Sequence, residues 1–400
     1  MFGVQIFSNQ INKIKNSFRS EYPIFVIIVK ILKMIKFAAL LTAIFSLTTQ
    51  AQDNHHNLVI GTYTNSCESD GMYVYDFNTD TGETQLKGST KNIENPSFLT
   101  FSANKKFVYS VNENGKDSQV SAFRFYSDSG NLQFLNSKSS EGNDPCSIIM
   151  DERNVLVANY SGGNIAVFAT NDDGTLGKHK QIVKHEVQTV HKDKLEASHM
   201  HMIQFSSDKK YLIATDLGKD YLCVYRYNAE EKLAVLEFKY LLKVKPDSGP
   251  RHFAFSSDGT ILYLINELNG SLLVFSFNNG ELKLIQETTI IERKFKGKIS
   301  AADIKISADG KFVYATNRGD ANTVSCFAIN EKGKLKIVQT TSTLGKGPRN
   351  FTIDPTGKFL LIGNQYSNEV VIFSIDKSTG IVTDSGKRIS LCSPVCLVFE

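Results

Sequence analysis

The feature that most constrains the fold of this chain is a pattern that recurs along it. Each copy has an apolar strand, a Ser/Pro-Asp-Gly-Lys type of turn, a second apolar strand that ends in Asn or Asp, a short polar loop and a third strand. The clearest copies are residues 253–277, 304–329 and 351–375. A fixed period of this size is typical of arrays of small sheets.

The residue that ends the second strand of each copy marks the period. These period-marking residues are separated by 47, 57, 50, 51 and 47 positions. They are Asn112, Asn159, Asp216, Asn266, Asn317 and Asn364. Each unit has room for four strands, and its Asp-Gly, Thr-Gly and Asn-Gly turns favour antiparallel hairpins. The expected architecture is therefore a β-propeller, in which four-stranded blades surround a central channel.

The two ends of the repeating region are incomplete in a complementary way. Residues 391–400 resemble a first strand with nothing after it, whereas residues 57–64 resemble a second strand whose first strand is missing. Residues 71–77 then follow as a third strand. Pairing the two ends in one sheet completes a seventh blade and removes two exposed edges. The sequence thus predicts an all-β, seven-bladed propeller closed by its N- and C-terminal strands.

The N-terminal segment does not share the repeat. Residues 34–51 begin near a lysine, continue through a short apolar run and end in small and polar residues, which is typical of a signal peptide. The run is shorter than the roughly 20 residues that a membrane span needs. We therefore expect residues 34–51 to direct export to the periplasm or beyond, and residues 52–400 to form a single propeller without a stable membrane span. Residues 1–33 are interpreted as a misassigned or non-structural extension, the alternative being a basic, amphipathic membrane anchor.

The net positive charge of the chain comes from that N-terminal segment. Residues 1–51 hold six of the 45 Lys and Arg residues but one of the 41 Asp and Glu residues, so the remainder carries one net negative charge. This balance gives no indication of nucleic acid as a partner. The six cysteines lack metal-binding spacing, and an exported chain permits disulfides whose pairing the sequence leaves open.

Charged residues interrupt the pattern at a few equivalent points. They stand where three of the first strands begin and where three of the second strands end. In a propeller these points line the channel and its rim, so the side chains can gather at one opening, as a binding pocket requires. The candidate residues, with the period-marking asparagine beside Arg318, are His199, His201, Asp216, Arg251, His252, Glu267, Asn317, Arg318 and Arg349.

Several of these candidates also have a purely structural interpretation. The period-marking Asn and Asp residues could cap the loops that follow them, and Arg251 could form an internal ion pair with Glu267. Arg318 could be a solvated loop charge. His199 and His201 have the spacing of a zinc-binding pair, but no third ligand stands at a recognisable spacing, and no metal is predicted.

Four segments of the chain resemble a known family. Residues 198–225, 249–268 (with Gly-Pro-Arg-His), 300–319 and 347–365 are similar to the propeller lactonases, which include the bacterial-type 6-phosphogluconolactonases and the carboxymuconate-lactonising enzymes. The resemblance extends over residues 57–400 and implies the same seven-bladed fold. Two departures stand out. Ser198 replaces a usual proline, and Asp303 replaces a usual glutamate.

The resemblance implies a site as well as a fold. The catalytic residues carried over by motif are His201, with His199 as the alternative, Arg251, Glu267 and Arg318. The remaining candidates, expected to bind substrate, are His199, Asp216, His252, Asn317 and Arg349. No cofactor is implied.

The expected reaction is hydrolysis of a sugar-type lactone, as in 6-phosphogluconolactonases. His201 or Glu267 would activate water, while Arg251 and Arg318 would hold an anionic group and stabilise the oxyanion. Because 6-phosphogluconolactone is a cytosolic intermediate, an unphosphorylated sugar lactone, or another cyclic ester outside the cytoplasm, fits an exported enzyme better, and which lactone it is stays open. The alternatives are a non-catalytic propeller that binds a small ligand or a protein, and a muconate-type cycloisomerase. The oligomeric state is left open.

Overall fold

The computed structural model describes residues 54–185, 190–191, 194–195 and 197–400. The expected signal peptide and the extension before it lie outside these residues. In the part of the chain that is described, no helix is long and apolar enough to cross a membrane. Besides strands and turns, this part contains a 3-10 turn at Gly115–Asp117.

Seven four-stranded antiparallel sheets form the blades of a propeller, which confirms the predicted fold. The strands nearest the channel are β4 (Leu99–Phe101), β8 (Pro145–Met150), β14 (Met200–Phe205), β18 (Pro250–Phe255), β22 (Ala301–Ile306), β26 (Pro348–Ile353) and β30 (Pro394–Phe399). The second strands are β1 (His55–Thr62), β5 (Phe107–Asn112), β9 (Asn154–Asn159), β15 (Tyr211–Asp216), β19 (Ile261–Asn266), β23 (Phe312–Asn317) and β27 (Phe359–Asn364).

The other two strands of each blade lie progressively further from the channel. The third strands are β2 (Met72–Asn78), β6 (Gln119–Tyr126), β10 (Asn164–Thr170), β16 (Tyr221–Tyr227), β20 (Ser271–Asn278), β24 (Thr323–Ile329) and β28 (Glu369–Ile375). The outermost strands are β3 (Thr84–Ser89), β7 (Asn131–Ser139), β11 (Leu176–Lys184), β17 (Leu236–Lys243), β21 (Glu281–Thr289), β25 (Leu335–Ser342) and β29 (Val382–Ser390). Two short strands, β12 (Val190–His191) and β13 (Lys194–Leu195), pair with each other between β11 and β14.

The ring closes through the two ends of the repeating region. Strand β30 pairs with β1, so that the first blade has the order β3-β2-β1-β30. Each innermost strand contacts that of the next blade, and β30 contacts β4. Apolar residues fill the space between blades, as where the Phe77 ring meets Phe359 edge-on at 5.7 Å. The predicted closure is therefore confirmed.

A disulfide joins the two ends of the repeating region as well. Cys67, in the loop between β1 and β2, is bonded to Cys392, just before β30. The pair is 325 residues apart in sequence. Cys223 and Cys326 are buried and unoxidised in third strands, in agreement with a packing role for small apolar residues.

A β-bulge at the start of the innermost strands determines which side chains enter the channel. In β18 the register with β19 shifts between Pro250 and His252, so Arg251 is the extra residue. The shift recurs in β26 at Arg349. A bulge of this kind re-aims a side chain. The preceding Gly249 and Gly347 have φ values of 64° and 73°, a conformation that glycine adopts without strain. The Gly-Pro-Arg motif thus aims an arginine at the channel.

Candidate active site

One end of the channel, called here the mouth, gathers the starts of the innermost strands and the ends of the second strands. A backbone hydrogen bond links the two sets of strand ends. The donor is the N–H of the residue that follows a second strand, and the acceptor is the carbonyl two residues before the bulge of the innermost strand; Glu267 donates to Gly249 in this way at 2.7 Å. The same bond recurs in every blade. The bulge residues, with Ser97 at the equivalent position before β4, are Ser97, Cys146, His201, Arg251, Ala302, Arg349 and Val395. The rim residues are Tyr63, Glu113, Tyr160, Leu217, Glu267, Arg318 and Gln365.

Three of the predicted catalytic residues meet directly at this mouth. Glu267 Oε2 lies 2.8 Å from Arg251 Nε, and Glu267 Oε1 lies 2.9 Å from Arg318 Nη2. The Arg251 Nη1 also donates to the Ala302 carbonyl at 2.5 Å. Arg251 is 1% exposed, whereas 22% of the Glu267 side chain is exposed. Two guanidinium groups are therefore held on one carboxylate at the edge of solvent.

The protonation of Arg251, Glu267 and Arg318 depends on their burial and on one another's charges. Burial lowers the pKa of Arg251 to about 10, and the neighbouring charge of Arg318 acts in the same direction. Burial alone would raise the pKa of the Glu267 carboxyl, but Arg318 and Arg251 outweigh it and hold that pKa below its usual value. All three groups are therefore charged at neutral pH, with an excess of one positive charge.

His201 lies beside this group but is buried and uncharged. It occupies the bulge position of β14, is 5% exposed, and its ring meets that of His252 edge-on at 5.1 Å. Burial, followed by the charge of Arg251, holds the pKa of His201 well below its usual range. His201 is therefore a neutral imidazole at pH 7.

His252 is sealed from solvent, with 3% of the residue exposed. Its Nδ1 lies 2.8 Å from Asp303 Oδ1, and burial lowers its pKa to about 4. Asp303 stands at the position where the sequence departs from the resemblance. Its shorter side chain is fully engaged, because Asn350 Nδ2 and the Phe351 backbone N–H donate to Oδ2 at 2.7 and 3.2 Å.

The other expected ligand-binding residues lie in different surroundings. His199 stacks on the Tyr160 ring at 4.4 Å, and His201 meets the same ring edge-on at 5.6 Å. The Asp216 carboxylate accepts bonds from the Ser198 hydroxyl and the His199 backbone N–H, and Asn317 Oδ1 accepts one from the Ser300 backbone N–H. Asp216 and Asn317 thus have the loop-capping contacts that were their alternative interpretation.

Arg349 enters the mouth from the blade next to that of Arg318, with partners that the sequence analysis missed. Its guanidinium lies over the Tyr63 ring, 5.1 Å from the centroid, and its Nη2 is 4.0 Å from Glu113 Oε2. The Tyr63 and Ser97 hydroxyls donate to the same Glu113 oxygen at 2.8 and 2.6 Å. Glu113 follows Asn112 as Glu267 follows Asn266, so comparison of the repeats contained the signal for it.

Comparison with known proteins places this geometry in context. The family model described as "Lactonase, 7-bladed beta-propeller" matches residues 57–399. A 6-phosphogluconolactonase of Formosa agariphila is 36% identical over 81% of this chain and 93% of its own length. A 6-phosphogluconolactonase of Bacillus subtilis is 32% identical over 85% of this chain and 97% of its own.

A solved structure shows the same similarity. The periplasmic gluconolactonase PpgL of Pseudomonas aeruginosa is 34% identical, with a TM-score of 0.82. The match covers 86% of this chain and 99% of that protein.

Proposed function

The chain belongs to the seven-bladed β-propeller lactonase family, and we propose that it hydrolyses a sugar-type lactone at the mouth of its channel. The observation that carries the proposal is the Arg251–Glu267–Arg318 group beside a neutral histidine. A lactone hydrolase needs a proton acceptor for water and a positive charge at the carbonyl oxygen, and these residues supply both.

The proposed roles follow from the state of each side chain. Glu267 is a poor base because both of its oxygens are paired with guanidinium groups, and it orients Arg251 and Arg318 instead. His201 accepts a proton from water as the water oxygen attacks the carbonyl carbon. The two arginines stabilise the tetrahedral oxyanion. When the ring C–O bond breaks, the departing oxygen takes the proton from His201, which yields the open hydroxy acid.

We also propose that the enzyme is exported and that its substrate is unphosphorylated. The Cys67–Cys392 disulfide supports an oxidising compartment, and the similarity to a protein named as periplasmic supports it too. Residues 34–51 would then act as the signal peptide and residues 52–400 as the mature propeller. N-terminal sequencing of the exported protein should give a start near residue 52, and a start upstream of Met34 would contradict the proposal.

A panel of lactones tests the activity itself. The protein of residues 52–400 should open glucono-1,5-lactone well above the spontaneous rate, and faster than the 6-phosphate, when base uptake is followed in a pH-stat. A preference for the phosphorylated lactone would contradict the assigned substrate class. Ligand binding without turnover would favour the non-catalytic propeller, and formation of a lactone from a muconate would favour the cycloisomerase.

Glu113 is proposed to bind the hydroxyl groups of the sugar ring. One of its oxygens accepts the bonds from Tyr63 and Ser97, while the other, Oε1, accepts none from the described residues. The carboxylate lies across the mouth from Glu267, beside the donor groups of Arg349. A carboxylate next to a guanidinium can bind a diol, by accepting from one hydroxyl and donating to the next.

The Glu113→Gln variant should therefore discriminate between lactones. We expect kcat/KM for glucono-1,5-lactone to fall by about 10-fold or more, the effect of losing a hydrogen bond to a charged group. Turnover of the unsubstituted δ-valerolactone, which has no hydroxyls, should stay near wild type. Glu331→Gln, at an exposed turn, is the control. An equal loss with both substrates would contradict the assigned role.

A further inference from the structure

We propose that Asp303 and His252 form a buried relay that sets the tautomer of His201, so that its Nε2 faces the mouth as a proton acceptor. The inference rests on the proposed function, in which His201 is the base. It makes His252 and Asp303 positioning residues, and it reassigns His252 from substrate binding.

The inner end of the relay is the Asp303 carboxylate, and both of its oxygens accept hydrogen bonds. Besides the bonds from Asn350 and Phe351, Asp303 accepts the Ile304 backbone N–H on Oδ1 at 2.9 Å. Asn350 is itself fixed, because its Oδ1 accepts the Leu397 backbone N–H from β30 at 2.7 Å. Asp303 is 3% exposed. Burial alone would raise its pKa, but the nearby Lys305 charge, the His252 bond and the backbone N–H of Phe351 outweigh burial and keep that pKa below its usual value. It is therefore ionised and can only accept hydrogen bonds.

The two histidine rings then present a matched pair of unpartnered atoms. His252 Nε2 and His201 Nδ1 are both sealed from solvent without a hydrogen-bond partner among the described residues. The rings that carry them are adjacent, with centroids 5.1 Å apart. Buried polar atoms are rarely left unpaired. A small rotation of the rings joins them by one direct hydrogen bond, which satisfies both nitrogens and fixes which of them carries the proton.

The donor and acceptor of each hydrogen bond in the relay follow from the Asp303 carboxylate. Because Asp303 accepts, His252 carries its proton on Nδ1 and offers a lone pair at Nε2. His201 satisfies that lone pair by carrying its own proton on Nδ1. The lone pair of His201 is then on Nε2, which is assigned to the open side of the mouth because Nδ1 is the nitrogen of this ring that is sealed and unpartnered. When Nε2 takes a proton from water, the resulting imidazolium is stabilised through His252 by the Asp303 carboxylate.

The wild-type protein provides the first test, which needs no activity. The ¹⁵N shifts of the His201 ring in the histidine-labelled protein, assigned by comparison with His201→Gln, should show a protonated Nδ1 and an unprotonated Nε2. A proton on Nε2 overturns the relay. If this tautomer is observed but no lactone is hydrolysed, the proposed function fails while the relay is supported.

Asp303→Asn is the second test, because it should invert the relay. Two donors, Asn350 and Phe351, hold the amide oxygen at the Oδ2 position against one backbone donor, Ile304, at the Oδ1 position, so the amide nitrogen faces His252 Nδ1 and donates to it. His252 must then carry its proton on Nε2, and His201 must move its own to Nε2. We expect this shift in the NMR spectrum and a fall in kcat of about 10²-fold or more, with KM little changed, since a wrong tautomer removes transition-state stabilisation alone.

Two further variants complete the experiment. Asp303→Glu keeps a carboxylate acceptor and should retain the wild-type His201 tautomer and most of kcat. His179→Gln, on the outer strand β11, should leave both unchanged. Thermal unfolding verifies that each variant is folded. A folded Asp303→Asn variant with the wild-type tautomer, or with an unchanged kcat, overturns the proposal.

Discussion

Replacing Arg251 with methionine should lower kcat/KM for the hydrolysed lactone by about 10²–10³-fold, the effect of removing one donor from an oxyanion site. Methionine preserves much of the apolar stem while the positive charge is lost. Arg251→Lys should recover little of the activity, because an ammonium cannot contact Glu267 and the Ala302 carbonyl with the same rigid fork. Initial rates measured over a range of substrate concentrations provide the comparison.

The control for this variant is Arg388→Met, which removes a guanidinium paired with Asp384 on the outermost strand β29. It should retain wild-type kcat/KM. Arg251→Met also leaves the Ala302 carbonyl without its donor, which costs about 1–3 kcal/mol of unfolding free energy. Activity is therefore compared at a temperature where circular dichroism shows both variants folded. Wild-type turnover by folded Arg251→Met would remove this residue from the mechanism.

Removing the disulfide should have the largest effect on stability. We expect the double variant Cys67→Ser/Cys392→Ser to lose about 2–5 kcal/mol of unfolding free energy, because the bond closes a very long loop in the unfolded chain. Equilibrium denaturation in guanidinium measures the loss. The bond also lies near the mouth, since the Cys392 sulfur approaches the Tyr63 carbonyl at 3.7 Å, so turnover should fall as well.

Reductant supplies the matched control for the disulfide. Dithiothreitol should destabilise the wild-type protein and leave the double variant unchanged, because Cys146, Cys223, Cys326 and Cys396 are already reduced and buried. An identical unfolding curve for the wild type and the double variant would show that the bond does not restrain the ring.

The fold could be predicted from the sequence because the same pattern of strands and turns recurs along the chain. Each copy restates the same strand and turn pattern, so an ambiguous element such as the short β4 is identified by its position in the period. The complementary ends predicted the closing blade for the same reason. The Cys67–Cys392 bond could not be predicted, because it joins two loops 325 residues apart and the repeated pattern has no cysteine at either position.

The site could be predicted only where it interrupts the repeat with a charge. Arg251, Glu267 and Arg318 were identified in this way, and they do meet. Glu113 was missed although it shares the repeat position of Glu267, since no motif accompanies it. The contact of His252 with Asp303 depends on the spacing of neighbouring blades, which no pattern along a single strand contains.

The attachment of Asn350 to strand β30 has a consequence for the timing of activity in the cell. Asp303 is held by Asn350, and Asn350 is held by the Leu397 backbone, which belongs to the last innermost strand of the ring in chain order. Nascent chains that lack this strand would have every charged residue of the mouth but no support for the Asp303 carboxylate beneath it. Maturation of the enzyme should therefore be a late, single event, and a chain interrupted during synthesis or secretion should be inert rather than partly active.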